Sequence, residues 1–204
     1  MTLEITLATN NPKKASELDR LLGDLEVRVR PAGTLDDPPK PEETGTTFIE
    51  NARIKAVAFQ EATGGWALAD DSGLEVDALD GRPGVYSSRF AGREGDDAAN
   101  NQLLIESLAE VDDAERTARF RCVLCLRGPD GEEHLSEGSI EGVIGRERRG
   151  SEGFGYDPLF LIPSEDKTFA ELGADYKSLH SHRARALAGM KETIRSIVER
   201  LSRH

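Results

Sequence analysis

The sequence predicts an α/β fold, a mixed β-sheet with flanking helices arranged as two lobes around a central cleft. Residues 3–8 and 13–22 form a strand–helix unit, residues 117–127 and 134–144 read as a hairpin, and residues 181–201 form a long amphipathic helix. Strand–helix units favour parallel pairing and a hairpin adds antiparallel pairing, so this order indicates a mixed sheet. We expect one domain over residues 1–204.

The N-terminal elements follow from apolar spacing and from signals at their ends. Pro12 suits the first turn of the helix over 13–22, and residues 27–30 read as a second strand. Thr47 and Glu50 form a capping-box pattern, so a helix is predicted from there to about residue 62.

The remaining elements surround an acidic segment. The apolar run at 66–69 predicts a buried strand that ends at Asp70 and Asp71, and residues 74–79 predict another strand. Asp96 can cap a helix through about residue 108, and residues 159–162 form a short strand.

Composition limits the classes of function. The 204 residues carry a net charge of −12, which argues against a nucleic-acid polymer as partner but allows a mononucleotide. No apolar stretch reaches membrane-spanning length and no secretory signal is visible, so we expect a cytoplasmic protein without a membrane partner. Cys122 and Cys125 fall within a predicted strand and are expected to be buried free thiols rather than a redox or zinc pair.

The acidic pair Asp70–Asp71 is the first candidate for chemistry. Adjacent carboxylates repel each other and need a cation, and Mg²⁺ is commonly held by one or two carboxylates together with substrate phosphates. Glu42 and Glu43 could share that cation. The alternative is a plain turn, since Asp-Ser-Gly is typical turn sequence, with a solvated glutamate pair elsewhere.

Two basic segments could bind phosphate. Residues 9–14 connect the first strand to its helix, where free backbone N–H groups attract anions and Lys14 adds a charge. Lys55 lies four positions after Asn51 and so on the same helix face. An ordinary turn and solvated lysines are the alternatives.

A second group could recognise a base. In the segment 153–158, two glycines flank Phe154, which could stack on a nucleobase. Lys177, His182 and Arg183 are basic residues near the start of the last helix, where they could donate to a ring oxygen. An inward-packed turn and surface basic residues are the alternatives.

Taken in order, these segments resemble the inosine triphosphate pyrophosphatase family, in its bacterial and archaeal branch. The matching segments lie at 9–14, 42–52, 69–74, 83–89, 153–158 and 177–183, and they span nearly the whole chain. The resemblance implies a Mg²⁺-dependent homodimer that hydrolyses dITP, ITP and XTP to the nucleoside monophosphate and pyrophosphate.

The resemblance also implies residue roles. Asp71 would be the catalytic base, and Glu42 and Asp71 would bind the metal, with Glu43 and Asp70 as alternatives. The substrate would be bound by the residues Thr9, Asn10, Asn11, Pro12, Lys13, Lys14, Lys55, Ser72, Phe154, Gly155, Tyr156, Asp157, Lys177, His182 and Arg183. A general metal-dependent phosphohydrolase and a nucleotide sensor are the rival interpretations.

Overall fold

A computed structural model describes residues 2–202 of the chain. It contains one seven-stranded sheet in the order β2-β1-β3-β4-β5-β6-β7. Strand β1 pairs parallel with β2 and β3, whereas β6 pairs antiparallel with β5 and β7. The prediction of a mixed sheet with flanking helices is therefore confirmed.

The elements have the following bounds. The strands are β1 Leu3–Leu7, β2 Val27–Pro31, β3 Trp66–Val76, β4 Thr117–Arg127, β5 Glu133–Ile144, β6 Phe160–Ile162 and β7 Lys167–Thr168. The helices are α1 Pro12–Leu22, α2 Phe48–Thr63, α3 Asp97–Ser107, α4 Phe169–His180 and α5 His182–Ser202.

The chain divides into two compact units. The first unit comprises the described residues up to Asp71, then Cys122–Gly138, then those from Arg183 onward. The second unit comprises Ser72–Arg121 and Ser139–His182. Strands β3, β4 and β5 each contribute residues to both units, and the predicted central cleft stays a prediction.

The core of the first unit contains one face of β3. Trp66 and Leu68 belong to the same buried cluster as Leu18 of α1 and Leu187 of α5. The side chains of Trp66 and Leu68 therefore face α1 and α5, on the same side of the strand because side chains alternate. Cys122 and Cys125 are buried free thiols, as predicted, and burial raises the pKa of Cys125 to about 12.

The second unit is organised around aromatic rings. Phe120 and Phe160 have their ring centroids 4.5 Å apart, and Phe169 lies 5.4 Å from Phe160. The packing fixes the start of α4, because Phe169 is its first residue and is fully buried. Aromatic pairs at these separations are favourable beyond their area of burial.

The structure corrects one prediction about the acidic segment. Asp70 and Asp71 do not end a strand: β3 runs without interruption through both, and residues 77–79 form a 3-10 turn instead of strand. The turn tendency of Asp-Ser-Gly is overridden because both carboxylates are buried against cations and need not reach water.

Helix α4 was absent from the predictions, although its sequence contains a signal. Thr168 accepts a hydrogen bond from the Glu171 amide and Glu171 accepts one from the Thr168 amide. This is a capping box of the same kind as the one that correctly predicted α2.

Among the described residues, no helix is both long and apolar enough to cross a membrane.

Candidate active site

Asp71 lies inside the first unit against helix α2. The Lys55 Nζ is 2.7 Å from Asp71 Oδ1, and the side-chain Nδ2 of Asn51 is 3.4 Å from Asp71 Oδ2. Asn51 and Lys55 share a helix face, as predicted, and both are buried there. The helix therefore presents a cation and an amide donor to one carboxylate.

The Asp71–Lys55 pair has an unusual charge balance. Burial raises the pKa of Asp71, and the charge of Lys55 offsets only part of that effect. Burial alone would lower the pKa of Lys55, but the charges of Asp71, Asp70 and Glu43 outweigh it, so the Lys55 pKa is raised. Lys55 remains a cation at neutral pH, and Asp71 is more basic than an ordinary aspartate.

Asp70 has different neighbours. Its Oδ2 is 3.3 Å from Lys14 Nζ of α1 and 3.2 Å from Arg183 Nε at the start of α5. Glu17 Oε2 lies 2.6 Å from Arg183 Nη1, which gives the buried guanidinium a second carboxylate. Burial alone would raise the pKa of Asp70, but the nearby cations outweigh it and hold that pKa far below its usual range.

The two carboxylates occupy opposite faces of β3, because consecutive side chains of a strand alternate. Asp70 shares the face of Trp66 and Leu68, toward α1 and α5, whereas Asp71 faces α2. This alternation gives two chemically different aspartates within one dipeptide.

The segment before α1 is tightly organised. Asn11 caps the helix, since its Oδ1 accepts from the Lys13 and Lys14 amides at 3.0 and 3.3 Å. Thr9 Oγ1 accepts from the Asn11 amide, and the Asn10 side chain donates to the Pro39 carbonyl. Two of the helix N–H groups predicted to bind phosphate are thus satisfied by a side chain. Pro12 takes the first helical position, as predicted.

Of the two predicted acidic partners, Glu43 contacts Lys55. Glu43 Oε1 is 3.3 Å from Lys55 Nζ, so Glu43 and Asp71 share one ammonium, whereas Glu42 is exposed. Within residues 2–202, no cluster of three or more His, Cys, Asp or Glu side chains is arranged to hold a metal ion by itself. The carboxylates fit Mg²⁺ only as an incomplete set that substrate phosphates would complete.

Three of the predicted base-recognition residues, Phe154, Lys177 and His182, lie in the second unit. Lys177 Nζ lies 2.7 Å from Asp157 Oδ2 and 4.7 Å from the centroid of the Phe154 ring. Asp157 also accepts a hydrogen bond from the Phe154 amide at 2.8 Å. One buried carboxylate therefore fixes both the loop and the lysine.

Other residues of this loop are held from α3. The Gly155 amide donates to Asp97, and the Gly155 carbonyl accepts from the Asn101 amide group at 2.8 Å. The buried Tyr156 donates its hydroxyl to the Ser87 carbonyl. Asp97 and Asn101 had not been predicted as part of the site; their spacing of four on one helix face was the available signal.

The remaining predicted substrate-binding residues are Ser72, His182 and Arg183. Ser72 follows Asp71 in β3 and belongs to the second unit. The buried His182 ring stacks on Phe120 with centroids 4.9 Å apart. Arg183, predicted to act with Lys177 and His182, belongs to the first unit and contacts Asp70 and Glu17 there.

The fold and these two groups define an α/β protein with a buried carboxylate–lysine centre and a separate aromatic–lysine loop. A model of the Ham1 family matches residues 5–193, and the chain belongs to that family. The resemblance to the inosine triphosphate pyrophosphatase family is thereby confirmed.

Curated and solved relatives agree with this assignment. A protein of an Exiguobacterium species named dITP/XTP pyrophosphatase is 51% identical over 94% of this chain and 97% of its own length. The solved structure of a HAM1 protein from Coxiella burnetii has a TM-score of 0.86 at 44% identity, covering 96% of this chain and all of the other. The Staphylococcus aureus Ham1 structure gives 0.84 at 39% identity, covering 95% and 98%.

Proposed function

We propose that this protein hydrolyses non-canonical purine nucleoside triphosphates, namely dITP, ITP and XTP, to the nucleoside monophosphate and pyrophosphate. The buried Asp71–Lys55 pair carries the proposal, because it combines a carboxylate of raised pKa with a fixed cation. The names of relatives such as the Exiguobacterium protein support the substrate class.

In this proposal the first unit handles the phosphates. Lys14 and Lys55 supply positive charge, and the segment Thr9–Lys14 at the start of α1 supplies backbone and side-chain donors. A phosphate can replace the Asn11 side chain as the acceptor at the helix N-terminus, where anions are favoured. The released Asn11 amide can then donate to phosphate as well.

Carboxylates of the first unit would hold Mg²⁺. Asp71 and Glu42 would hold it, with Glu43 as the alternative whose carboxylate already contacts Lys55. When bound, the ion would screen phosphate charge and orient the reacting groups.

Asp71 would act as the general base. Its carboxylate accepts a proton from the attacking water, and a pKa raised by burial brings it nearer to neutral pH, where such a base works best. Asn51 donates to the same carboxylate at 3.4 Å and would keep it oriented toward the water.

Phe154, Lys177, His182 and Arg183 would recognise the base. Phe154 offers a stacking surface, and Lys177, His182 and Arg183 offer donors to the purine 6-oxygen, which adenine lacks. With an adenine nucleotide these donors of the protein would have no acceptor at that position, which would strongly disfavour its binding. Ser72 and the backbone of Gly155–Asp157 would line the nucleotide site.

We further propose a cytoplasmic protein and, on the family resemblance alone, a homodimer. Sedimentation equilibrium of the purified protein would give a mass of twice 22.3 kDa if this is right. A single chain mass at all concentrations would contradict it.

A panel of nucleoside triphosphates, assayed for pyrophosphate and orthophosphate with and without Mg²⁺, tests the function. We expect pyrophosphate from dITP, ITP and XTP only with Mg²⁺, and far less from dATP. Release of orthophosphate would instead support a general phosphohydrolase, and binding without turnover would support a sensor.

A further inference from the structure

Helix α4 is broken in its middle, at Gly173. This residue has φ 78° and ψ −177°, a backbone conformation that only glycine adopts readily, and it divides α4 into residues 169–172 and 174–180. The second half begins at Ala174 and contains Lys177. A glycine at this boundary offers no side chain to cap the half-helix that follows.

Glu152 supplies an acceptor where Gly173 has none. Its Oε2 accepts a hydrogen bond from the Ala174 amide at 3.3 Å, and its own amide donates to the Ala170 carbonyl at 3.3 Å. A carboxylate at a helix N-terminus is also favoured by the helix dipole. Glu152 therefore takes the place of a local N-cap, although it lies about twenty residues earlier in the chain.

The approach of Glu152 explains the glycine. A Cβ at position 173 would lie 2.7 Å from the Glu152 Oε2. The segment 150–152 is close to the first half of α4 as well, since a Cβ at Gly150 would lie 2.6 Å from the Ala170 carbonyl oxygen. Gly150 and Gly173 therefore allow the segment 150–152 and helix α4 to approach each other closely.

The cap joins two parts of the proposed base-recognition group. Glu152 directly precedes the loop that carries Phe154 and Asp157, while Ala174 lies three residues before Lys177. At the other end, Lys177 Nζ pairs with Asp157 at 2.7 Å and lies over the Phe154 ring. Loop and half-helix are thus connected at two points, one on each side of Phe154.

We propose that Glu152 is a positioning residue for base selection: by capping the half-helix from outside, it sets where Lys177 lies relative to Phe154. Glu152 touches no substrate in this account. The inference rests on the proposed function, because selection between bases is what the positioned lysine would carry out.

Steady-state kinetics of Glu152→Ala with dITP and dATP test this. We expect KM for dITP to rise roughly three- to tenfold, as loss of an N-cap allows, with kcat nearly unchanged. The preference for dITP over dATP should fall by a similar factor. Glu152→Gln keeps an acceptor and should restore most of both values.

Glu165→Ala is the matched control, since it removes the same charge from an exposed turn of the same unit. It should leave KM and the preference at wild-type values. If Glu152→Ala lowers only the melting temperature and leaves KM and preference unchanged, Glu152 is merely structural and the proposal is overturned.

Hydrogen exchange separates this proposal from the proposed function. In Glu152→Ala without ligand, the amides of 174–177 should exchange faster than in the wild type and in Glu165→Ala. If the wild type fails to hydrolyse dITP, the proposed function is contradicted. Independently of that result, unchanged exchange of the amides 174–177 in Glu152→Ala would contradict the role of Glu152 as a helix cap.

Discussion

Asp70 and Asp71 are adjacent in β3, yet their surroundings differ in nearly every respect. Asp70 is fixed by Lys14 and Arg183, and its pKa is held far below the usual range. Asp71 pairs with the ammonium of Lys55, and burial raises its pKa. The comparison indicates that the cations in direct contact with a buried aspartate determine whether its pKa is lowered or raised.

Asp71→Asn should have the largest effect. An amide cannot take a proton from water, so kcat with dITP should fall roughly 10²–10⁴-fold. Pyrophosphate release measures it, and an unchanged melting temperature is the control for folding. Near-normal turnover would remove Asp71 as the base.

Asp70→Asn should affect stability more than chemistry. The substitution removes one carboxylate from the buried Arg183, which keeps its pair with Glu17, and it weakens the contact with Lys14, so we expect a loss of about 3–5 kcal/mol in the free energy of unfolding. Urea unfolding at neutral pH measures this loss.

The pH dependence of that loss has a definite sign. The lowered pKa of Asp70 stabilises the fold above the unfolded-state pKa of about 3.9, and the contribution disappears as the pH falls through the folded value. The difference between wild type and Asp70→Asn should therefore be constant near neutrality and shrink in acid. A difference that grows in acid would contradict the assignment.

Arg183→Ala tests whether the partner of Asp70 also reads the base. We expect the dITP preference over dATP to narrow by roughly tenfold, the value of one lost donor to the purine oxygen. The ratio of kcat/KM values for dITP and dATP is the measurement. If that ratio is unchanged while stability falls, Arg183 serves only the Asp70 ion pairs.

Glu42 and Glu43 offer a comparison on the Asp71 side. If Glu42 binds the metal, Glu42→Gln should raise the Mg²⁺ concentration for half-maximal activity by roughly tenfold, whereas Glu43→Gln should raise it less. Mg²⁺ titration of dITP hydrolysis measures both. The opposite order would assign the metal to Glu43, whose carboxylate contacts Lys55.

The smallest expected effect is a displaced pH profile. If Asp71 is the proposed base, turnover needs its ionised carboxylate, and kcat/KM should fall as the pH drops through its raised pKa, so the acidic limb should lie above that of an ordinary aspartate. Measurement of kcat/KM for dITP across the acidic range checks this. A limb at the ordinary aspartate value would show that burial does not perturb Asp71.

Local sequence signals predicted a large part of this molecule. The capping box at Thr47 fixed the start of α2, and helical spacing placed Asn51 and Lys55 together on the face that meets Asp71. Such predictions succeed because caps and periodicity are properties of neighbouring residues. A capping box of the same kind, Thr168 with Glu171, marks the start of α4.

Local signals of this kind could not predict contacts between residues that are far apart in the sequence. Arg183 and Asp70 are 113 positions apart, and no periodicity indicates that they pair. That pairing also explains the wrong prediction for β3: without knowledge of the buried cations, two adjacent aspartates indicate the end of a buried strand rather than its middle.

A carbon-13 NMR titration of labelled aspartate carboxyls, with Asp71→Asn used for assignment, tests the contrast between the two residues most directly. We predict that the Asp71 signal titrates above the ordinary aspartate value of about 3.9 and the Asp70 signal well below it. Titration of both carboxyls together at the ordinary aspartate value would contradict the account.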